Sequence, residues 1–146
     1  NELFDIFYHV TKINWADTTE GFPGVGHKHS TFTFHTIKDQ TFKLIHSYQI
    51  AEYGGIKEYY FDDENGSLIF YFFKKFEGEG EESDNEQRLY FHNNELIHFQ
   101  IRPRGSNEKE ARNYRLDNLK EEHFSIANKV LKESVFRVKW FPESFK

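Results

Sequence analysis

The sequence predicts an α+β fold: an antiparallel sheet of about six hairpin-connected strands, with an N-terminal and a C-terminal helix packed against it. Three observations predict it. Three aromatic runs each lead through a polar turn into a return strand that opens with Leu-Ile. An apolar stripe at helical spacing opens the chain, and a second one follows the last return strand. At 146 residues, the chain suits one domain, 1–146, large enough to bury a core without covalent staples.

The opening stripe is Leu3, Ile6, Phe7, Val10 and Ile13, which fall on one helical face. Glu2 and Asp5 near its start and Lys12 near its end suit the helix dipole, so a helix is expected over 1–14. Gly21, Pro23, Gly24 and Gly26 then mark a loop. Their order matches neither a phosphate loop nor the dinucleotide fingerprint, so a plain connection is the preferred reading.

The three look-alike stretches come next. Phe32-Thr33-Phe34-His35 leads to Leu44-Ile45-His46, Tyr59-Tyr60-Phe61-Asp62 to Leu68-Ile69-Phe70, and Leu89-Tyr90-Phe91-His92 to Leu96-Ile97-His98. Asn65-Gly66 is a strong hairpin signal, because both positions of a type I′ turn need positive φ, and Asn93-Asn94 is a weaker one. Alternation sets Phe32 and Phe34 against Thr33 and His35, and sets Ile97, Phe99 and Ile101 against His98, Gln100 and Arg102. It expects Phe61, Leu68, Phe70 and Phe91 in the core. Ser67 to Phe73, apolar on both faces, is expected mid-sheet and covered on both sides. Tyr60 faces away from Tyr59 and Phe61, so some aromatic side chains must lie on a second face, against a helix, a ligand or a partner.

From Glu77 to Glu86 runs a segment with six acidic residues and no basic one, which reads as a mobile loop. After Pro103 the pattern breaks. Leu119, Ile126, Ala127, Val130 and Leu131 form the second helical stripe, capped by Asp117 or, for an earlier start, by Asn107 with Glu110. The tail, with Phe136, Val138, Trp140 and Phe141, is too apolar to float freely and is expected to pack back on the domain.

Charge and composition bound the function. A net charge of −5 gives no electrostatic reason to expect nucleic acid as a partner. No run approaches the roughly 18 apolar residues that span a membrane as a helix. Without Cys there is no disulfide framework, thiolate metal site or cysteine nucleophile. The chain begins at Asn1 and has no Met, as expected after removal of an initiator and a leader, or after trimming.

Candidate chemistry is sparse. His27, His29 and His35 have metal-ligand character, but no further ligand is identifiable and no metal site is expected there. Asp62 to Gly66 lacks calcium-loop spacing and reads as a turn. No catalytic motif and no cofactor fingerprint is present, so no catalytic residue and no cofactor is assigned. Arg88 opens a strand, while Arg102 and Arg104 close the next, so the three guanidinium groups are expected to meet. They would bind a carboxylate or phosphate, or pair with the adjacent acidic segment, which is the favoured alternative. Arg88, Arg102, Arg104 and Tyr60 are the candidate binding residues.

The stretch from Glu58-Tyr59-Tyr60-Phe61-Asp62 through Asn65-Gly66-Ser67-Leu68-Ile69-Phe70-Tyr71-Phe72 to Gln87-Arg88-Leu89-Tyr90-Phe91 and Glu95-Leu96-Ile97 resembles small exported proteins of Bacteroidetes-like bacteria. It covers about a third of the chain, roughly 58–102. The resemblance implies an exported or periplasmic location and a sheet-based fold, and carries no catalytic residue. A looser likeness is to small periplasmic PepSY-like and inhibitor-like sheets that bind proteins. The expected function is therefore a non-catalytic binding or accessory module of the cell envelope, with a protein or small ligand as partner. The alternatives are a small-ligand carrier with an aromatic pocket between sheet and helices, or an enzyme of unrecognised type.

Overall fold

The computed structural model describes residues 6–14, 28–37, 40–50, 53–76, 86–102 and 111–144, with backbone alone at 6–14, 28–31, 37, 50, 53, 76 and 136–144. Among the described residues eight antiparallel strands follow one another across a single sheet in chain order. They are β1 (Ile6–Asn14), β2 (Lys28–Ile37), β3 (Gln40–Ile50), β4 (Tyr53–Phe61), β5 (Leu68–Phe76), β6 (Glu86–His92), β7 (Glu95–Arg102) and β8 (Arg112–Arg115), and α1 (Glu121–Ser144) ends the described chain.

The three expected hairpins are β2–β3, β4–β5 and β6–β7. The sheet gains a strand at each end. Ile6–Asn14 is not the expected helix but an edge strand paired with β2. The run Ile-Phe-Tyr-His-Val-Thr is β-branched and aromatic, and pairing with a long neighbour outweighs a helical stripe of five residues. β8 is short and polar, and its pairing with β7 carries it.

Each hairpin has a register shift at the equivalent place: His35/Thr36, Tyr60/Phe61 and Tyr90/Phe91. In each, one extra residue stands on the return strand, namely Phe42, Ile69 or Ile97. Such a β-bulge inverts the alternation beyond it. The expected core set therefore needs correction. Phe61, Leu68 and Phe91 are buried, but Phe70 is displaced to the opposite face and only half-buried. Likewise Leu96 and Phe99 are buried, while Ile69 and Ile97 are 41% and 38% exposed.

The turns also differ from expectation. At Asn65-Gly66 only Gly66 has positive φ, at 72°. The loop is longer than a two-residue turn: Gly66 N–H donates to Asp62 O at 2.9 Å and Asp62 N–H to Ser67 O at 2.7 Å. Asp62 Oδ1 accepts from the Glu64 and Asn65 amides, which folds the acidic run back on itself. The two-residue type I′ geometry sits at Asn93-Asn94, with φ of 49° and 62°.

The bulges align one buried row across the sheet. Phe34, Leu44, Tyr59, Tyr71, Leu89, Phe99 and Tyr114 are successive cross-strand partners. All but Tyr114 are buried, and Phe61, Leu68, Phe91 and Leu96 extend the cluster toward the hairpin tips. α1 lies on this face. Its His123, Ala127, Val130 and Ser134 are buried at helical spacing, with Ile126 and Leu131 packed beside them. Lys57 Nζ reaches Glu133 Oε1 at 3.1 Å and ties β4 to the helix. Beside that pair, burial first and the Glu133 charge second push the Tyr71 hydroxyl far up, so it stays a neutral phenol.

The helix begins at Glu121, not at Asp117, which lies in the turn between β8 and α1. The alternative start at Asn107 with Glu110 lies outside the described residues, and 112–115, between it and α1, is strand. Tail residues 136–144 continue α1 in backbone. No described helix is long and apolar enough to cross a membrane. The acidic segment 77–85, His27 and Arg104, and the side chain of His29, lie outside the described residues.

Candidate binding face

The face opposite the described part of α1 carries a second row, one residue out of phase with the buried one. Lys43, Tyr60, Phe70, Tyr90, His98 and Arg115 are its successive cross-strand partners on β3 to β8. The rings form a ladder. Tyr60 to Phe70 is 5.5 Å between centroids and Phe70 to Tyr90 is 5.0 Å, both tilted. Tyr90 and His98 stack at 4.9 Å. Lys43 Nζ lies 5.0 Å from the Tyr60 ring centre and closes one end. With strands about 4.8 Å apart, the row from β3 to β7 spans roughly 20 Å. The tilted contacts are each worth about 0.5–1.5 kcal/mol and hold the rings in place.

Polar partners fix both ends. The Tyr60 hydroxyl donates to Glu58 Oε1 at 2.9 Å, and Lys43 Nζ lies 3.6 Å from the same oxygen. A hydrogen bond to Tyr60 foremost, and the Glu58 charge, raise the Lys43 ammonium above its ordinary value. Burial above all raises Tyr60, so both groups keep their protons at neutral pH. At the other end Asn113 Oδ1 accepts from Gln100 Nε2 at 3.0 Å and lies 2.8 Å from His98 Nε2.

Next to His98 the face opens into a shallow groove of about 590 Å³, lined by His92, Ile97, His98, Arg115, Leu116, Asp117 and Asn118. Leu116 is 72% exposed there. A second cleft, of about 330 Å³, lies on the other face, between the hairpin tips and α1. Phe61, Leu68, Leu131 and Val135 line it with Asn65, Ser67 and Asn94. Among the described residues Phe61 is its one aromatic wall.

Of the three sequence-predicted arginines, Arg88 and Arg102 lie at the adjoining ends of β6 and β7, and Arg104 lies outside the described residues. Arg102 is the cross-strand partner of Glu86, and Arg88 Nη1 reaches Glu86 Oε2 at 2.9 Å. Lys74 Nζ lies 3.9 Å from the same carboxylate. The Arg88 guanidinium also covers the Phe72 ring at 4.9 Å. Glu86 thus takes the position a ligand anion would need, which favours the pairing alternative for this cluster. Tyr60 stands in the ladder, as its facing predicted. His98, Phe70 and Tyr90 were missed as site residues. Alternation did assign His98 to the polar face, but Phe70 and Tyr90 could be placed beside it only once the bulges were known.

Among the described residues no group of three or more His, Asp or Glu is placed to hold a metal ion. His35, the described member of the histidine set, is held below its ordinary value by burial and by the Lys43 charge. Compared with protein-family models, with curated proteins and with solved structures, the chain matches none.

Proposed function

We propose that this chain is a non-catalytic binding module that engages a protein partner through the aromatic ladder of its open sheet face. The observation that carries the reading is the row Tyr60, Phe70, Tyr90 and His98, half-buried on a face that the described helix does not cover. Large rings with few rotatable bonds contact a partner at low entropic cost, and Tyr adds a hydroxyl for orientation. The flanking charges Lys43, Glu58, Glu86 and Arg88 are held in ion pairs, as suits the rim of an interface better than a reaction centre. An exported or envelope location remains part of this proposal, on the resemblance of residues 58–102.

The ligand-carrier alternative has one observation in its favour, the cleft beside Phe61 and Leu131. At about 330 Å³ it is at the lower end for a ligand pocket, and among the described residues it has one aromatic wall, fewer than an aromatic pocket would need. The experiment is a pull-down from envelope extract, using the wild-type chain beside a Phe70→Thr/Tyr90→Thr variant, with a hydrolase activity panel run in parallel. Threonine keeps strand propensity while removing the rings. A partner retained by the wild type and lost by a folded variant supports the proposal. Equal retention by both, or turnover abolished by one His or carboxylate substitution, refutes it.

A further inference from the structure

The N-terminus of α1 is closed by an unusual acceptor. Lys120 stands at the cap position and His123 at the third helical residue. His123 Nδ1 accepts the Lys120 backbone N–H at 2.9 Å, while the His123 N–H donates back to Lys120 O at 3.0 Å. A Glu or Gln at this position makes the side-chain half of a capping box. Here an imidazole does so, from a site only 3% exposed. Its ring lies against Phe99 on β7 at 4.7 Å and Tyr114 on β8 at 4.3 Å, so one side chain both caps the helix and docks it on the sheet.

We propose that His123 is a pH-sensitive latch: as neutral imidazole it fastens the start of α1 to β7 and β8, and on protonation it releases them. An imidazolium has donors on both ring nitrogens, so no orientation of it can accept the Lys120 N–H. It would also place positive charge at the positive end of the helix dipole. The groups around it divide. On α1, Glu122 Oε1 lies 3.8 Å from Nε2 and favours the cation, as do the π systems of the two neighbouring rings. Lys120 opposes the cation, and Glu121 and Asp117 stand in the same turn region, both exposed. From β7 the facing residue is uncharged Phe99, and from β8 it is the Tyr114 phenol, with exposed Arg112 two residues away on the same side. Burial is the largest influence and holds His123 below its ordinary 6.5. The unfolded chain therefore takes up this proton first. Stability from this group is complete above about pH 6.5 and declines as pH falls toward the lower folded value. Release would also free the turn Leu116–Asn118, which walls the groove beside His98.

The test is amide hydrogen exchange of the whole chain from pH 7.5 to 5, with the imidazole titrations followed by NMR in the same samples. The Lys120 amide should lose about tenfold protection relative to the sheet amides, with a midpoint at the His123 titration below 6.5. His123→Gln keeps an acceptor that does not titrate, and should keep the protection while losing its pH dependence. The same pH dependence in His123→Gln would overturn the latch. So would a wild-type His123 that titrates at or above 6.5, holds its proton on Nδ1 at neutral pH, or titrates without loss of Lys120 protection; these readouts stand even if the variant does not fold.

Discussion

Two phenylalanines on opposite faces of the sheet give the sharpest stability prediction. Phe99 is 0% exposed, a member of the buried row and in contact with His123. Phe70 is half-buried and touches Tyr60 and Tyr90. Burying a Phe removes roughly 200 Å² from water, worth about 5 kcal/mol at 25 cal/mol per Å². Alanine retains part of that area, so Phe99→Ala should cost about 3–5 kcal/mol, including the cavity left behind. Phe70→Ala loses two ring contacts and about half as much burial, and should cost about 1–2 kcal/mol. Urea unfolding followed by far-UV circular dichroism measures both, provided the slope is unchanged. A Phe70→Ala cost equal to or above that of Phe99→Ala would refute the assignment of faces, and with it the bulge at Ile69.

The remaining predictions concern single positions. A Cβ at Gly54 would stand 2.8 Å from the Tyr48 carbonyl oxygen, so Gly54→Ala must shift backbone and should lower the urea midpoint by the equivalent of about 1–3 kcal/mol. At Asn94, φ is 62°, so Asn94→Ala should cost about 1 kcal/mol and Asn94→Gly little or nothing in the same assay. The Lys57–Glu133 pair is partly buried, and a double-mutant cycle with Lys57→Met and Glu133→Gln should give a coupling of about 1 kcal/mol or less that shrinks in about 1 M salt. A coupling of zero at low salt would mean that the pair does not hold β4 to α1.

The hairpins were legible because their signals are local. An aromatic strand, a polar turn and an apolar return lie within one short window, and Asn93-Asn94 states its own geometry. What escaped the sequence was parity. One extra residue at Phe42, Ile69 and Ile97 leaves composition unchanged, yet it moves every later side chain to the other face. The first look-alike stretch is, separately, two residues out of step with the others: Phe34, not Phe32, is equivalent to Tyr59 and Leu89. β1 was misread because Ile6, Phe7, Val10 and Ile13 satisfy a helical stripe, while its partner strand lies beyond a long connection. β8 gave no pattern in four polar residues. The start of α1 was misplaced for a related reason. Asp117 is a better cap by type than Lys120, but the docked imidazole of His123 supplies the missing acceptor. For the arginines, the strand ends place Arg88 and Arg102 near one another in sequence pattern, but do not say that Glu86 is the acid Arg88 pairs with.

The central claim is that the ladder face is open in the free protein and covered by its partner. Hydroxyl-radical footprinting tests this directly, because aromatic side chains oxidise readily and each can be read separately by mass spectrometry. In the free chain Tyr60, Phe70 and Tyr90 should oxidise faster than Tyr59, Tyr71 and Phe99 of the buried row. With the captured partner bound, the first three should become protected while Val135 beside the small cleft stays unchanged. Protection confined to Val135 and Leu131, with the ladder oxidising as before, would contradict the account.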